Sequence, residues 1–257
     1  VAEQAEWLRR EAPAHLASFA VNLLHLARHC QAHGIALPSL TSVRSSGEVL
    51  SDAAREACRA AWGLEVVDLY SAVETGYLGL QCPDHPHLHA QSESALVEIL
   101  DADGRACAPG AIGRVVVTPL HNFAMPLLRY DLGDLAEAGA PCPCGRTLPV
   151  IARVHGRTRD MLVLPSGERR FPHYGSKALA GFPTIRQHQV IQTTVDDIEV
   201  RLVAEAPLGA DEEARLRASM QAALGHPFQI DFVYCDAIAR GASGKFIEFR
   251  SAILPSA

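Results

Sequence analysis

Two short stretches hold the residues best suited to binding a metal ion. Cys142 and Cys144 stand in a Cys-Pro-Cys-Gly turn, and Cys82 opens an upstream segment that also contains three histidines. Three thiolates and an imidazole suit a closed tetrahedral Zn²⁺ site. Pro83 and Pro143 stiffen both segments, which lowers the entropy lost on binding. The sequence therefore predicts a structural zinc that fixes a loop. The alternative is that each thiol is a small core residue.

The histidine ligand of this site is chosen from three candidates. We predict His89, because its distance along the chain from Cys82 leaves room for a loop between the two ligands, while His85 and His87 remain rivals. The predicted zinc ligands are Cys82, His89, Cys142 and Cys144.

A second set of residues has the chemistry of nucleotide binding. Asp134 follows Gly133 at a predicted strand end, where a carboxylate can accept hydrogen bonds from a ribose. Glu74, in a loop at another strand end, offers an oxygen ligand for Mg²⁺. Arg157 can reach a sugar or a phosphate. The alternatives are a Gly-Asp turn, a helix-start carboxylate and an interdomain ion pair, respectively.

Lys245 stands in a glycine-rich segment near the end of the chain. The spacing of Gly-Ala-Ser-Gly-Lys at residues 241–245 is not that of a phosphate-binding P-loop. A mobile loop that brings the ammonium group to a developing negative charge is the functional interpretation. A solvated lysine in a turn is the alternative.

The elements that would position these residues begin with a strand, helix and strand. A strand at residues 40–46, a helix at 51–62 and a strand at 64–70 predict a βαβ unit with parallel strands. Ligands of such sheets bind beyond the carboxyl ends of the strands. Two segments occupy these ends, namely residues 45–48, which include Ser46, Gly47 and Glu48, and residues 70–76.

The remaining pattern divides the chain into two domains. Residues 2–33 are predicted to be helical, residues 95–100 and 113–118 to form an antiparallel hairpin, and residues 127–130 to form a strand. The predicted fold is α/β. Residues 1–158 form part of a large domain with a mixed or parallel sheet and a small β subdomain, and residues 159–257 form a small α+β domain.

Composition excludes several classes of function. The formal charge of −6 is spread along the 257 residues, which argues against nucleic acid and anionic membranes as partners. No apolar run approaches the ~20 residues that a membrane-spanning helix needs. The seven cysteines are scattered, which argues against a secreted disulfide scaffold and favours the cytoplasm.

Taken together, these motifs resemble those of the adenylate-forming enzymes, in the same order along the chain. Tyr-Ser-Ala-Val-Glu at residues 70–74 resembles the family motif Tyr-Gly-x-Thr/Ser-Glu, and Tyr-Asp-Leu-Gly-Asp at 130–134 resembles Tyr-Arg-Thr-Gly-Asp. Gly-Arg-Thr-Arg-Asp at 156–160 is similar to the Gly-Arg-x-Asp-Asp hinge. Ser-Gly-Lys at 243–245 matches the late lysine motif. Pro-Leu-Leu-Arg-Tyr at 126–130 and the Cys-Pro-Cys-Gly turn favour the phenylacetate–CoA ligase-like branch.

The resemblance implies an activity in two steps. A small carboxylic acid is activated with Mg·ATP as an acyl-adenylate and then passed to a thiol, either of CoA or of a carrier protein. Implied cofactors are ATP, Mg²⁺, CoA and Zn²⁺, and the oligomeric state is left open. The implied roles are adenine contacts for Ser46, Gly47, Glu48 and Tyr70, Mg²⁺ binding for Glu74, ribose contacts for Asp134, ribose and phosphate contacts for Arg157, and adenylation for Lys245.

Three departures from the family pattern accompany this resemblance. The family's Ser/Thr/Gly-rich phosphate loop does not precede Ser45, so the chain looks like the C-terminal part of a longer ligase. Val73 replaces a Thr or Ser hydroxyl that helps to hold phosphate, and Arg159 stands at the usual hinge Asp. The alternative function is a catalytically inactive, zinc-stabilised nucleotide-binding or scaffold domain.

Overall fold

The computed structural model describes residues 1–157, 161–170, 172, 178–179, 181–239 and 246–253. The chain divides into two compact units, Val1–Gly156 and Arg157–Ala257. Lys245 and the hinge residues 158–160 lie outside the described residues. The roles predicted for segments 1–158 and 159–257 stay predictions.

The first half of the first unit alternates helices and parallel strands. Its elements are α1 (Ala2–Glu11), β1 (His15–Ser18), α2 (Ala20–Ala32), β2 (Ser42–Ser46), α3 (Asp52–Trp62) and β3 (Val66–Ala72). The prediction of one helix over residues 2–33 was wrong. Pro13 disfavours helical geometry at the residue before it, and Ala12 ends α1 in the left-handed region with φ 47°. β1 then pairs with β2.

The predicted βαβ unit is present, with β2 and β3 parallel on either side of α3. The Ser51 side chain accepts a hydrogen bond from Ala54 N at the start of α3, and Gly63 ends the helix at φ 70°. A core cluster under the helices includes Leu23, Leu26 and Val43, which are at most 1% exposed.

The second half of the first unit is antiparallel and continues the same sheet. Its strands are β4 (Gly76–Gln81), β5 (Leu88–Ala90), β6 (Ala95–Leu100), β7 (Ile112–Pro119), β8 (Tyr130–Ala138) and β9 (Val150–Arg157). The nine-stranded sheet has the order β1-β2-β3-β4-β5-β9-β8-β7-β6. The predicted α/β class with a mixed sheet is confirmed, and the hairpin of β6 and β7 is part of this sheet.

The strand predicted at residues 127–130 was wrong, because β8 begins at Tyr130. Arg129 has φ 48°, which no extended strand permits. Its N–H donates to Thr118 Oγ1 at 2.9 Å, and its guanidinium reaches both carboxylate oxygens of Glu98 at 3.2 Å. These contacts hold the turn that leads into β8.

The second unit has the predicted α+β composition. Its elements are β10 (Leu162–Val163), β11 (Arg169–Arg170), β12 (Ile185–Gln192), β13 (Asp197–Ala204), α4 (Ala210–Leu224), β14 (Gln229–Tyr234) and β15 (Phe249–Ser251). A four-stranded sheet has the order β14-β13-β12-β15. Leu216, Met220 and Leu224, four residues apart on one face of α4, are buried in the core of this unit.

None of the described helices combines the length and the hydropathy needed to cross a bilayer.

Candidate functional site

The four predicted zinc ligands meet where three segments of the first unit converge. Cys82 follows the last residue of β4, His89 lies in β5, and Cys142 and Cys144 lie in the connection from β8 to β9. One ligand atom from each residue lies within 4.8 Å of the others. Cys82, Cys142 and His89 are buried, at 2%, 9% and 3% exposure.

The distances in this cluster fit a tetrahedral ion. The sulfurs of Cys82 and Cys142 are 3.8 Å apart, and the Cys144 sulfur is 3.4 Å from His89 Nε2. With Zn–S bonds of ~2.3 Å and Zn–N bonds of ~2.0 Å, tetrahedral geometry separates two sulfurs by roughly 3.8 Å and a sulfur from a nitrogen by roughly 3.5 Å. The geometry and the donor set therefore suit Zn²⁺, with no large movement of the ligands.

The two thiols of the Cys-Pro-Cys-Gly turn differ in acidity. Burial raises the pKa of Cys142 to about 11. The backbone N–H of Arg146, followed by the Cys142 and Arg146 side chains, lowers the pKa of Cys144 to about 6 despite partial burial. The Arg146 guanidinium lies 3.7 Å from the Cys144 sulfur. Arg146 was not among the predicted site residues, although its place directly after the turn was a usable signal.

Of the three candidate histidines, His89 is the one that lies in the cluster with the three cysteines. His85 and His87 lie outside the group of four, in the loop between β4 and β5. Burial, followed by the neighbouring histidines, lowers the pKa of His87. His89 thus has the position that we predicted for the ligand.

Two of the predicted nucleotide residues meet inside the large sheet. The Tyr70 hydroxyl, on β3, donates a hydrogen bond of 2.8 Å to Asp134 Oδ2, on β8. Tyr70 is 8% exposed and belongs to a core cluster with residues of β4 to β9. The two residues are 64 positions apart in the sequence, and the fold places them in direct contact.

Asp134 does not stand at a strand end, as we had predicted, but within β8. A β-bulge just before Asp134 explains why the sequence around Gly133 resembles that of a turn. Gly133 has φ 70°, its N–H donates to Asp131 Oδ1 at 2.9 Å, and the pairing of β8 with β7 shifts register beside it. Such a bulge changes the direction in which the following side chain points.

The other predicted nucleotide residues are placed as follows. Glu74 is exposed in the turn between β3 and β4, Ser46 ends β2, and Gly47 follows with φ 77°. Glu48 Oε2 accepts a hydrogen bond of 3.0 Å from Val21 N in the first turn of α2, which gives this carboxylate a structural contact. Arg157 ends β9.

One family model and several curated proteins match parts of this chain. Residues 172–249 match the family model of the CapK C-terminal domain. A phenylacetate-coenzyme A ligase of Thermus thermophilus is 34% identical over 128 residues, which cover 46% of this chain and 28% of the relative. Another, of Aromatoleum evansii, is 26% identical over 180 residues, covering 65% of this chain and 40% of the relative.

Solved structures show the same fold over nearly the whole chain. A 2-hydroxyisobutyryl-CoA ligase in the postadenylation state, in complex with R3-HIB-AMP, has a TM-score of 0.75 at 22% identity and is matched over 97% of this chain and 56% of its own. The anthranilate CoA ligase AuaEII in complex with anthranoyl-AMP has a TM-score of 0.69 at 19% identity, over 95% and 50%. The chain spans about half the length of these proteins, and less of the curated relatives.

Proposed function

Because this chain is a phenylacetate–CoA ligase-like member of the adenylate-forming superfamily, we propose that its protein activates a carboxylic acid with ATP and passes the acyl group to a thiol. The proposed acid is an aryl or acyl acid, and the proposed thiol is that of CoA. The names of the relatives and the acyl-AMP bound in two neighbours support this choice. The scattered cysteines support the cytoplasm as its location.

The proposed reaction transfers groups in two balanced steps. In the first, a carboxylate oxygen attacks the α-phosphorus of ATP, and the bond from that phosphorus to pyrophosphate breaks. In the second, the thiol sulfur attacks the acyl carbon, the bond from that carbon to the AMP oxygen breaks, and the thiol proton is lost to solvent or a base. The first step gathers negative charge around the α-phosphate, which a positioned cation stabilises.

The contact between Tyr70 and Asp134 is the observation that carries this proposal. A carboxylate has two oxygens and about four lone-pair sites, so Asp134 can accept from the Tyr70 hydroxyl and from ribose hydroxyls together. In the proposed roles, the adenine is contacted by Tyr70, Ser46, Gly47 and Glu48. Asp134 contacts the ribose, Arg157 the ribose and a phosphate, and Glu74 a Mg²⁺ ion. Lys245 supplies the cation at the α-phosphate.

We propose a separate role for each of the two segments of the chain. Segment 1–158 acts as the C-terminal part of the AMP-binding domain, and segment 159–257 as the small mobile domain that carries Lys245. Rotation about residues 157–160 would withdraw Lys245 after adenylation and admit the thiol.

We propose that Zn²⁺ is a structural ion held by Cys82, His89, Cys142 and Cys144. The 4.8 Å grouping and the buried donor set support it. When bound, the ion would cross-link the connection between β8 and β9 to β4 and β5, and supply no reactive group. These segments belong to the sheet whose strand β8 carries Asp134.

Pyrophosphate release tests the activity. We expect the protein at its natural length to release pyrophosphate in the presence of ATP, Mg²⁺ and an aryl acid. Lys245→Ala should slow release by roughly 10²–10³-fold, as for the loss of one charge-stabilising donor. Lys177→Ala is the matched control, since Lys177 is the other lysine of this sequence. Release that is unchanged in Lys245→Ala would remove this residue from the mechanism.

A second candidate is a catalytically inactive, zinc-stabilised nucleotide-binding or scaffold domain. Val73 favours it, because a fully exposed valine stands where the family motif has a phosphate-binding hydroxyl. Calorimetric titration of ATP into this chain separates the scaffold from the ligase. No binding at millimolar ATP supports the scaffold. Saturable binding fits both the ligase and the inactive nucleotide-binding domain, which the release of pyrophosphate then separates.

A further inference from the structure

Three histidines form a row that ends at the Cys/His cluster. The ring centroids of His85 and His87 are 5.3 Å apart with the rings stacked, and those of His87 and His89 are 5.3 Å apart with the rings edge to face. His89 is one of the four residues of the cluster. We call His85, His87 and His89 the histidine ladder.

The histidine ladder joins one buried histidine at the cluster to two partly exposed ones. His89 is 3% exposed, whereas His85 and His87 are partly exposed. The Nε2 atom of His87 is buried and has no hydrogen-bond partner among the described residues. A buried polar atom without a partner is costly and calls for an explanation, such as a ligand that occupies it for part of the time.

The backbone fixes this arrangement independently of the imidazole rings. Cys82 N–H donates to the carbonyl oxygen of His87 at 2.9 Å, which closes the loop between β4 and β5. His89 is held on the other side of the loop by the pairing of β5 with β4 and β9. The ladder rings can therefore be replaced by rings of similar size while the loop keeps its backbone contacts.

We propose that His85 and His87 form an entry path along which a divalent transition-metal ion, Zn²⁺ in particular, reaches the buried ligands. This inference rests on the proposed zinc site. A buried four-ligand site is reached only after the ion loses its bound water, and an imidazole nitrogen is a good replacement ligand for Zn²⁺. The histidine ladder supplies such nitrogens one after another, from the partly exposed His85 and His87 to the buried His89.

An entry path has a kinetic signature that a ligand lacks. It lowers the barrier for loading and release alike, so its removal slows both rates by the same factor and leaves the dissociation constant unchanged. The loss of a ligand or of a group that orients one instead weakens affinity, and release becomes faster.

The variants His87→Phe and His85→Phe keep an aromatic ring and remove its nitrogens. The metal-free chain is mixed with Zn²⁺ to measure loading, and the loaded chain with an excess of a chromophoric chelator to measure release. We expect His87→Phe to slow both by roughly tenfold, which corresponds to a barrier higher by about 1.4 kcal/mol. His85→Phe should slow both by less. His33→Phe, at an exposed histidine after α2, is the control.

Loading and release at the wild-type rates in both ladder variants would overturn the entry path. So would weaker affinity with faster release, which identifies His87 as a supporting residue of the bound ion. A wild-type chain that takes up no Zn²⁺ is a different result, because it refutes the proposed zinc site itself.

Discussion

The Tyr70 hydroxyl donates a hydrogen bond of 2.8 Å to Asp134 Oδ2, although β4, β5 and β9 separate their strands in the sheet. In a flat sheet, four strand spacings would place β3 and β8 roughly 19 Å apart. The sheet must therefore curl so that the two strands face each other across its interior. The core cluster that includes Tyr70, Leu78, Ala136 and Ile151 fills this interior.

Replacing Tyr70 with Phe tests whether this contact positions Asp134 for a nucleotide. Hydrogen bonds to charged groups contribute about 1.5–3 kcal/mol, so we expect ATP affinity to fall roughly 10–100-fold in a calorimetric titration. Tyr77→Phe is the control, because Tyr77 on the neighbouring β4 is 59% exposed. If Tyr70 acts through Asp134, the loss of affinity in Tyr70→Phe should be smaller with deoxyribose analogues of ATP. An unchanged affinity for ATP in Tyr70→Phe would refute this role.

The proposed zinc site is tested by Cys142→Ser. Removing one of the four ligands should bring the zinc content of the purified chain well below one equivalent and lower the unfolding temperature, because binding at a structural site is coupled to folding. Cys107→Ser is the matched control, since Cys107 is a free cysteine of the same unit outside the cluster. Equal zinc content in the two variants would contradict the assignment.

Gly139 is expected to be required where β8 leads into the cysteine turn. A Cβ at this position would lie 2.8 Å from Val150 Cβ, while Gly139 N–H donates to Val150 O at 2.9 Å. We expect Gly139→Ala to lower the free energy of unfolding by about 1–3 kcal/mol, as overpacking does. Gly181→Ala, where no described residue has an atom within 4 Å of the added Cβ, is the control in denaturant unfolding. Equal stability of the two variants would show that the backbone adjusts freely.

Asp68 on β3 should make stability depend on pH. Burial raises its pKa, although Arg55 and the backbone N–H of Leu69 oppose this shift. The Asp68 carboxyl ionises at a lower pH in the unfolded chain than in the folded one. The free energy of unfolding of the wild type therefore falls relative to that of Asp68→Asn as pH rises from about 4. Denaturant unfolding at several pH values measures this. A stability difference that stays constant, or that moves in the opposite direction, would be evidence against the raised pKa.

Local patterns predicted the parts of the molecule that local forces determine. The helix predicted at residues 51–62 is present as α3, with Ser51 as its N-cap, and the Cys-Pro-Cys-Gly turn indicated the Cys/His cluster before its geometry was known. The left-handed conformation of Arg129 was not predictable, because contacts with Thr118 and Glu98 stabilise it. The curl of the sheet was not predictable from the sequence either, since it depends on pairing between distant strands.

The fate of a heavy oxygen isotope in the carboxylate of the acid tests the central claim most directly. Attack on the α-phosphorus followed by cleavage at the acyl carbon must leave one carboxylate oxygen on AMP. We predict labelled AMP, detected by mass spectrometry, in amounts equal to the thioester formed by the protein at its natural length. Label found in inorganic phosphate, or thioester formed with unlabelled AMP, would contradict activation through an acyl-adenylate.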